Sequence, residues 1–178
     1  MESQKDMLIM GIGNLLMGDE GVGIHFVHQL ECQPWLRDDV EIVDGGTGGF
    51  HLMEYFESYP NVILVDATMD GLPSGLISLI TPRFASDFPR AMSSHDIGLR
   101  DLVEGLTILG RLPNIYLFTV SIEKIQPQCI ELSPEIAAAL PALEQHVADL
   151  VTRLRRERHA PELELDLEPL GSKPILSC

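Results

Sequence analysis

Glu20, Asp66 and His95 are the side chains in this sequence best placed to do chemistry together. They offer two carboxylates and one imidazole, each from a separate loop. Such a set suits a borderline divalent ion such as nickel or zinc, and three protein ligands leave positions open for water or a substrate group. The donors by themselves do not choose the metal. Each residue also has an ordinary reading. An acid at a helix start complements the helix dipole, worth about 0.3–1 kcal/mol, and an Asp ending a strand or a His capping a helix is commonplace. The context of the first acid favours a cation. Asp19 and Glu20 are adjacent in GIGNLLMGDEGVG, a glycine-rich strand-to-helix turn. Dipole complementarity accounts for one acid there but leaves the second without a purpose.

Other arrangements are weaker. A glycine-rich turn of this kind often binds phosphate through free N–H groups, but two carboxylates already occupy that position. The G-x-G-x-x-G fingerprint fails at Leu16, and Asp44 lies too far along to serve as its ribose-binding acid. His25 and His28 lack an H-E-x-x-H pattern and read as residues of an exposed helix face. Ser94, His95 and Asp96 are sequence neighbours, whereas a nucleophilic triad is assembled in space. Asp19 and Asp66 could share a proton as an acid pair if their carboxyls lay about 3 Å apart.

The elements that must position these residues follow from pattern. Met7 to Ile12 reads as a buried strand, and Glu20 to Glu31 as the first helix. Val40 to Asp44 is a second strand, ending in DGGTGG. The glycines of Gly45 to Gly49 make that loop flexible or closely approached by other backbone. A short helix through Leu52, Met53 and Phe56 follows. Val62 to Val65 is a wholly apolar strand, buried on both faces and stopping at Asp66. The segment before Leu76 to Thr81 is too short for a crossover helix, so that strand returns antiparallel. A helix from Asp96 to Leu109 and a strand from Asn114 to Ile122 come next. Ser133-Pro134 opens the last helical region, which restarts at Pro141 and ends near Arg155. The expected fold is α/β: three layers, a twisted, mixed, mostly parallel five-stranded sheet with helices on both faces. Residues 1–155 form one domain, and 156–178 a poorly ordered extension in which ELELDLE could pair as an edge strand. If the first and third strands are parallel neighbours, their acids meet at the carboxyl edge, where open α/β sheets place their sites.

Composition narrows the partners. The 178 residues are 45% apolar, enough for one sizeable core. A formal net charge of −15 disfavours nucleic acid and anionic membranes, and suits a metal ion or a cationic peptide. No apolar run has the length of a membrane span, and MESQKDM lacks the basic flank of a signal peptide, so the expected location is the cytoplasm. Cys32, Cys129 and Cys178 are odd in number and widely spaced, and read as free thiols.

Four motifs together, GIGNLLMGDEGVG with Glu20, DGGT at Asp44 to Thr47, LVDA with Asp66 and SSHD with His95, resemble the hydrogenase maturation protease family over about Met7 to Val151. The resemblance implies an endopeptidase that removes the C-terminal extension from the large-subunit precursor of a nickel-iron hydrogenase. It implies that Glu20, Asp66 and His95 are both the metal-binding and the catalytic set. Asp44, Gly45, Gly46 and Thr47 would select the cognate precursor. The cation would be nickel, supplied by the substrate, with zinc or cadmium able to substitute, and the enzyme is expected to be a monomer. Metal-activated water and a carboxylate general base, as in an aspartic-type peptidase, both suit these residues, with metal-assisted hydrolysis favoured. The rival from another class is a non-catalytic nickel-binding chaperone or checkpoint that docks the precursor and cleaves nothing.

Overall fold

The computed structural model describes residues 5–30, 33–88 and 96–159. Five strands, β1 (Met7–Gly11), β2 (Val40–Asp44), β3 (Asn61–Thr68), β4 (Ile77–Ile80) and β5 (Asn114–Ser121), form one sheet in the order β2-β1-β3-β5-β4. All neighbours are parallel except β4, which runs antiparallel along the outer side of β5. The antiparallel return expected from the short connection is present. Its partner is β5, which leaves β4 at the edge of the sheet.

Helices α1 (Val22–Leu30), α2 (Met53–Ser58), α3 (Asp96–Ile108) and α4 (Pro134–His159) cover both faces. The period-two alternation of each strand sends side chains to two cores. Ile9, Ile63, Val65, Phe118 and Val120 pack under α1 and α4. On the other side Leu8, Met10, Val62, Leu64, Ile115 and Leu117 pack with Phe56 of α2 and Leu99, Leu102 and Leu106 of α3. This is the expected three-layer α/β arrangement.

Two elements, β3 and α4, extend past their expected ends by three residues or more. Strand β3 does not stop at Asp66: pairing continues through Asp66↔Thr119 and Ala67↔Val120 to Thr68↔Ser121. A carboxylate lowers strand propensity but leaves the backbone ladder intact, and β5 offers partners along the full length. Helix α4 neither restarts at Pro141 nor ends at Arg155. It runs unbroken to His159 with Pro141 inside it. An interior proline forfeits a helical hydrogen bond. Here Ile136, Leu140, Leu143, Val147, Leu150 and Leu154 hold both halves to one core. Its end is fastened by Arg155 donating to both Asp39 carboxylate oxygens at 2.7 Å, and by an Arg158–Asp6 ion pair. The extension proposed to begin at residue 156 therefore starts with helix, and residues 160–178, including ELELDLE, lie outside the described residues. No helix among the described residues is long and apolar enough to cross a membrane.

Candidate functional site at the carboxyl edge of the sheet

Helix α1 starts unusually close to the sheet, and the motif's glycines are the reason. A Cβ on Gly23 would stand 2.2 Å from the Val65 carbonyl oxygen and 2.4 Å from that of Ile12, while one on Gly11 would stand 2.1 Å from the Gly23 carbonyl oxygen. Only hydrogen fits at either position. The Gly18–Gly21 turn that leads into α1 is thereby pressed against β3 and carries its two acids there, both buried.

Asp19 fastens the turn. Asp19, 3% exposed, accepts from Gln126 Nε2 and from the Ser133 backbone N–H, each at 2.7 Å, and its own N–H donates to Gln126 Oε1 at 2.9 Å. It ties the turn to the segment just before α4. Both of its carboxylate oxygens are used in this way. Glu20, 2% exposed, is the acid of the pair not used in that tie.

Asp66 is wholly buried, at 0% exposure, and its Oδ1 accepts from the Ala67 N–H at 2.7 Å. It shares a face with Leu64, the side covered by α3. There the sheet changes from apolar to polar as it nears its carboxyl edge. Val62 and Leu64 give way to Asp66 and Thr68, and Ile115 and Leu117 to Thr119 and Ser121, all four polar residues buried. The Thr68 hydroxyl has no hydrogen-bond partner among the described residues. Since β1 and β3 are parallel neighbours, with Gly11 opposite Val65, the Glu20 turn and Asp66 come to the same edge.

Helix α3 begins on this edge as well. It leads, after a short connection, into the start of β5 at the opposite edge, and its 13 residues span about 20 Å back along the sheet. His95, immediately before α3, lies outside the described residues, so the third member of the proposed set is not placed. Among the described residues no group of three His, Cys, Asp or Glu side chains could hold a metal ion. The described part of the site is two buried carboxylates, a donor set that fits a divalent cation once a third ligand joins it.

The Asp44–Thr47 loop flanks this edge and is held rather than free. Gly45 N–H donates to the Gly11 carbonyl and Gly13 N–H to the Gly46 carbonyl, each at 2.9 Å. Gly46, Gly48 and Gly49 have φ of 54°, 76° and 117°, conformations that favour glycine. Asp44 itself shapes the loop: Oδ1 accepts from Gly46 N–H at 2.9 Å, and Oδ2 pairs with His28 Nε2 at 3.0 Å. His25 contacts the Ile130 carbonyl through Nε2 at 2.8 Å. The two histidines of α1 thus secure loops on either side of the site, a task their spacing did not reveal. Gln126 carries no signal in the sequence, since its importance arises only from its contact with Asp19.

Comparison with known proteins agrees with this architecture. The sequence model of the hydrogenase maturation protease family (HycI) matches residues 24–150. The hydrogenase 2 maturation protease of Escherichia coli (strain K12) is 34% identical over 148 residues, which cover 81% of this chain and 90% of the relative. The hydrogenase expression/formation protein HupD of Thiocapsa roseopersicina is 30% identical, over 94% of this chain and 82% of its own. Among solved structures, the hydrogenase maturating endopeptidase HybD from E. coli superposes with a TM-score of 0.74 at 32% identity, covering 85% of this chain and 93% of that one. With fold and sequence kinship in agreement, this chain belongs to the hydrogenase maturation protease family and is a peptidase.

Proposed function

We propose that this peptidase removes the C-terminal extension from the large-subunit precursor of a nickel-iron hydrogenase, and that it acts on the nickel-loaded form. The nickel belongs to the substrate. Glu20 and Asp66 supply carboxylate oxygens to it, and His95 is assigned as the third donor. The observation that carries this reading is the burial of both acids, 2% and 0% exposed, on turn and strand at one sheet edge. Two carboxylates brought to one sheet edge attract a divalent ion more strongly than either does alone, so a precursor carrying such an ion is favoured over an empty one. The same carboxylates can accept a proton from the attacking water, the role of a general base. The loop Asp44, Gly45, Gly46 and Thr47 is assigned to precursor choice, because it presents the exposed Thr47 at the rim while its acid is engaged in holding it. The non-catalytic chaperone reading gains nothing from the family relationship.

The test is to incubate purified protein with precursor in nickel-loaded and nickel-free forms and weigh the product. Loss of a C-terminal fragment from the loaded form alone is expected. No mass loss, or equal trimming of both forms, would refute the proposal. Zinc and cadmium, offered in place of nickel, test whether the donor set tolerates other borderline ions. Substitution of Thr47 should change which precursor is processed while leaving metal binding intact.

A further inference from the structure

Exposed apolar side chains are ordinary when scattered singly, but a cluster around a site marks a contact surface. In this protein Leu16, Phe50, Met69, Leu72, Leu76 and Ile130 are exposed, and all six stand in the connections at the carboxyl edge, Phe50 at the start of a short 3-10 turn. Leu16 follows β1, Phe50 follows β2, Met69 and Leu72 follow β3, and Ile130 follows β5. Leu76 joins them because β4 is antiparallel and begins at that edge.

These loops form a preset surface. The Leu16 carbonyl accepts from Cys129 N–H at 3.3 Å, and Gly18 N–H donates to the Cys129 carbonyl at 2.7 Å, which joins the first loop to the last. The Leu76 carbonyl accepts from Ser121 N–H at 2.9 Å. Asp70 sets the loop that presents Leu72: Oδ1 accepts from Leu72 N–H and Oδ2 from the Ser121 hydroxyl, each at 3.0 Å. A surface ordered before binding loses less conformational freedom when a partner arrives.

We infer that this apolar rim is the docking surface for the body of the protein substrate, engaging a surface segment of mixed apolar and basic character. The assignment rests on the proposed trimming of a folded precursor. Charge decides the occupant. The rim's exposed or half-buried charged residues include Asp44, Asp70, Glu123, Glu131 and Glu135 against Lys124, on a chain of net charge −15. A second copy would set acid against acid across the contact, whereas basic side chains among apolar ones complement both features of the rim.

The test measures affinity of nickel-loaded precursor for wild type and for Leu72→Asp, alone and combined with Leu16→Asp. Ile108→Asp is the control, since Ile108 is 79% exposed but ends α3 at the opposite edge. Placing a charge in an apolar contact should weaken binding by about tenfold or more for Leu72→Asp and further for the pair. KM should rise with Kd, and Ile108→Asp should bind as wild type. Thermal unfolding of each variant, with Leu72→Ser as a neutral companion, separates lost docking from lost folding. Unchanged affinity in Leu72→Asp, or equal weakening in Ile108→Asp, would overturn the assignment. Wild type that binds the precursor without trimming it would refute the proposed reaction, while the affinities would still decide the docking surface. Wild type that does not bind the precursor would overturn both.

Discussion

Replacing Asp19 with alanine tests whether it fastens the turn as described above. The carboxylate accepts two hydrogen bonds at 2.7 Å while 3% exposed. Hydrogen bonds to a charged group contribute about 1.5–3 kcal/mol each, and a buried donor left without its acceptor costs about 1–3 kcal/mol. The two estimates describe the same loss, so they are not added. Removing the buried charge also relieves some desolvation. Asp19→Ala should therefore destabilise the fold by about 2–5 kcal/mol, against about 0.3–1 kcal/mol if the acid served only the helix dipole. For a chain of this size that corresponds to a fall of about 5–15 °C in unfolding midpoint. Asp19→Asn retains one acceptor and should lose about half as much. The assay is urea unfolding of wild type, Asp19→Ala, Gln126→Ala and the double variant, with a coupling of about 1 kcal/mol or more expected between the two positions. A loss below about 1 kcal/mol would reduce Asp19 to dipole complementarity. A fully stable Asp19→Ala protein without peptidase activity would move Asp19 into the chemistry and refute its role as a fastening.

Asp66→Asn keeps the acceptor used by Ala67 N–H and removes the charge, so its stability should stay within about 1 kcal/mol of wild type while precursor cleavage is lost. Marked destabilisation with cleavage intact would make Asp66 a structural acid. Gly23→Ala should destabilise by about 1–3 kcal/mol or more, because its Cβ would meet the Val65 carbonyl at 2.2 Å. Gly105→Ala within α3, where a Cβ meets nothing within 4 Å, should instead stabilise by about 0.4–1 kcal/mol. Thermal unfolding of the two proteins checks both signs. The Arg155 guanidinium hydrogen-bonded to Asp39 holds that carboxyl below its usual range, against the opposing effect of desolvation. A depressed folded pKa contributes stability above the unfolded value of about 3.9, lost as pH falls through the folded one. Arg155→Met should thus be less stable than wild type at pH 7, with the difference narrowing as the pH is lowered below about 4 in denaturation series.

The sequence determined much of this protein by itself, because periodicity and breakers are local properties. Val62 to Val65 had to be a strand buried on both faces, and Leu99, Leu102 and Leu106 one side of a helix. GDEGVG had to be a turn carrying acids into a helix start. The four motifs were enough to indicate the family. Tertiary structure decided what depends on contacts between distant residues. Asp66 lies within β3 because Thr119 of β5 pairs beside it, and α4 passes through Pro141 because the core grips it on both sides. Asp19 and Glu20 are adjacent and chemically alike, so no local pattern could assign their tasks. Gln126 and Ser133, more than a hundred residues away, make Asp19 a fastening between segments. Only the register of β1 beside β3 brings the Glu20 turn and Asp66 to one edge. Hydrogen bonds across the fold require particular partners in space, and sequence pattern carries spacing along the chain but not that proximity.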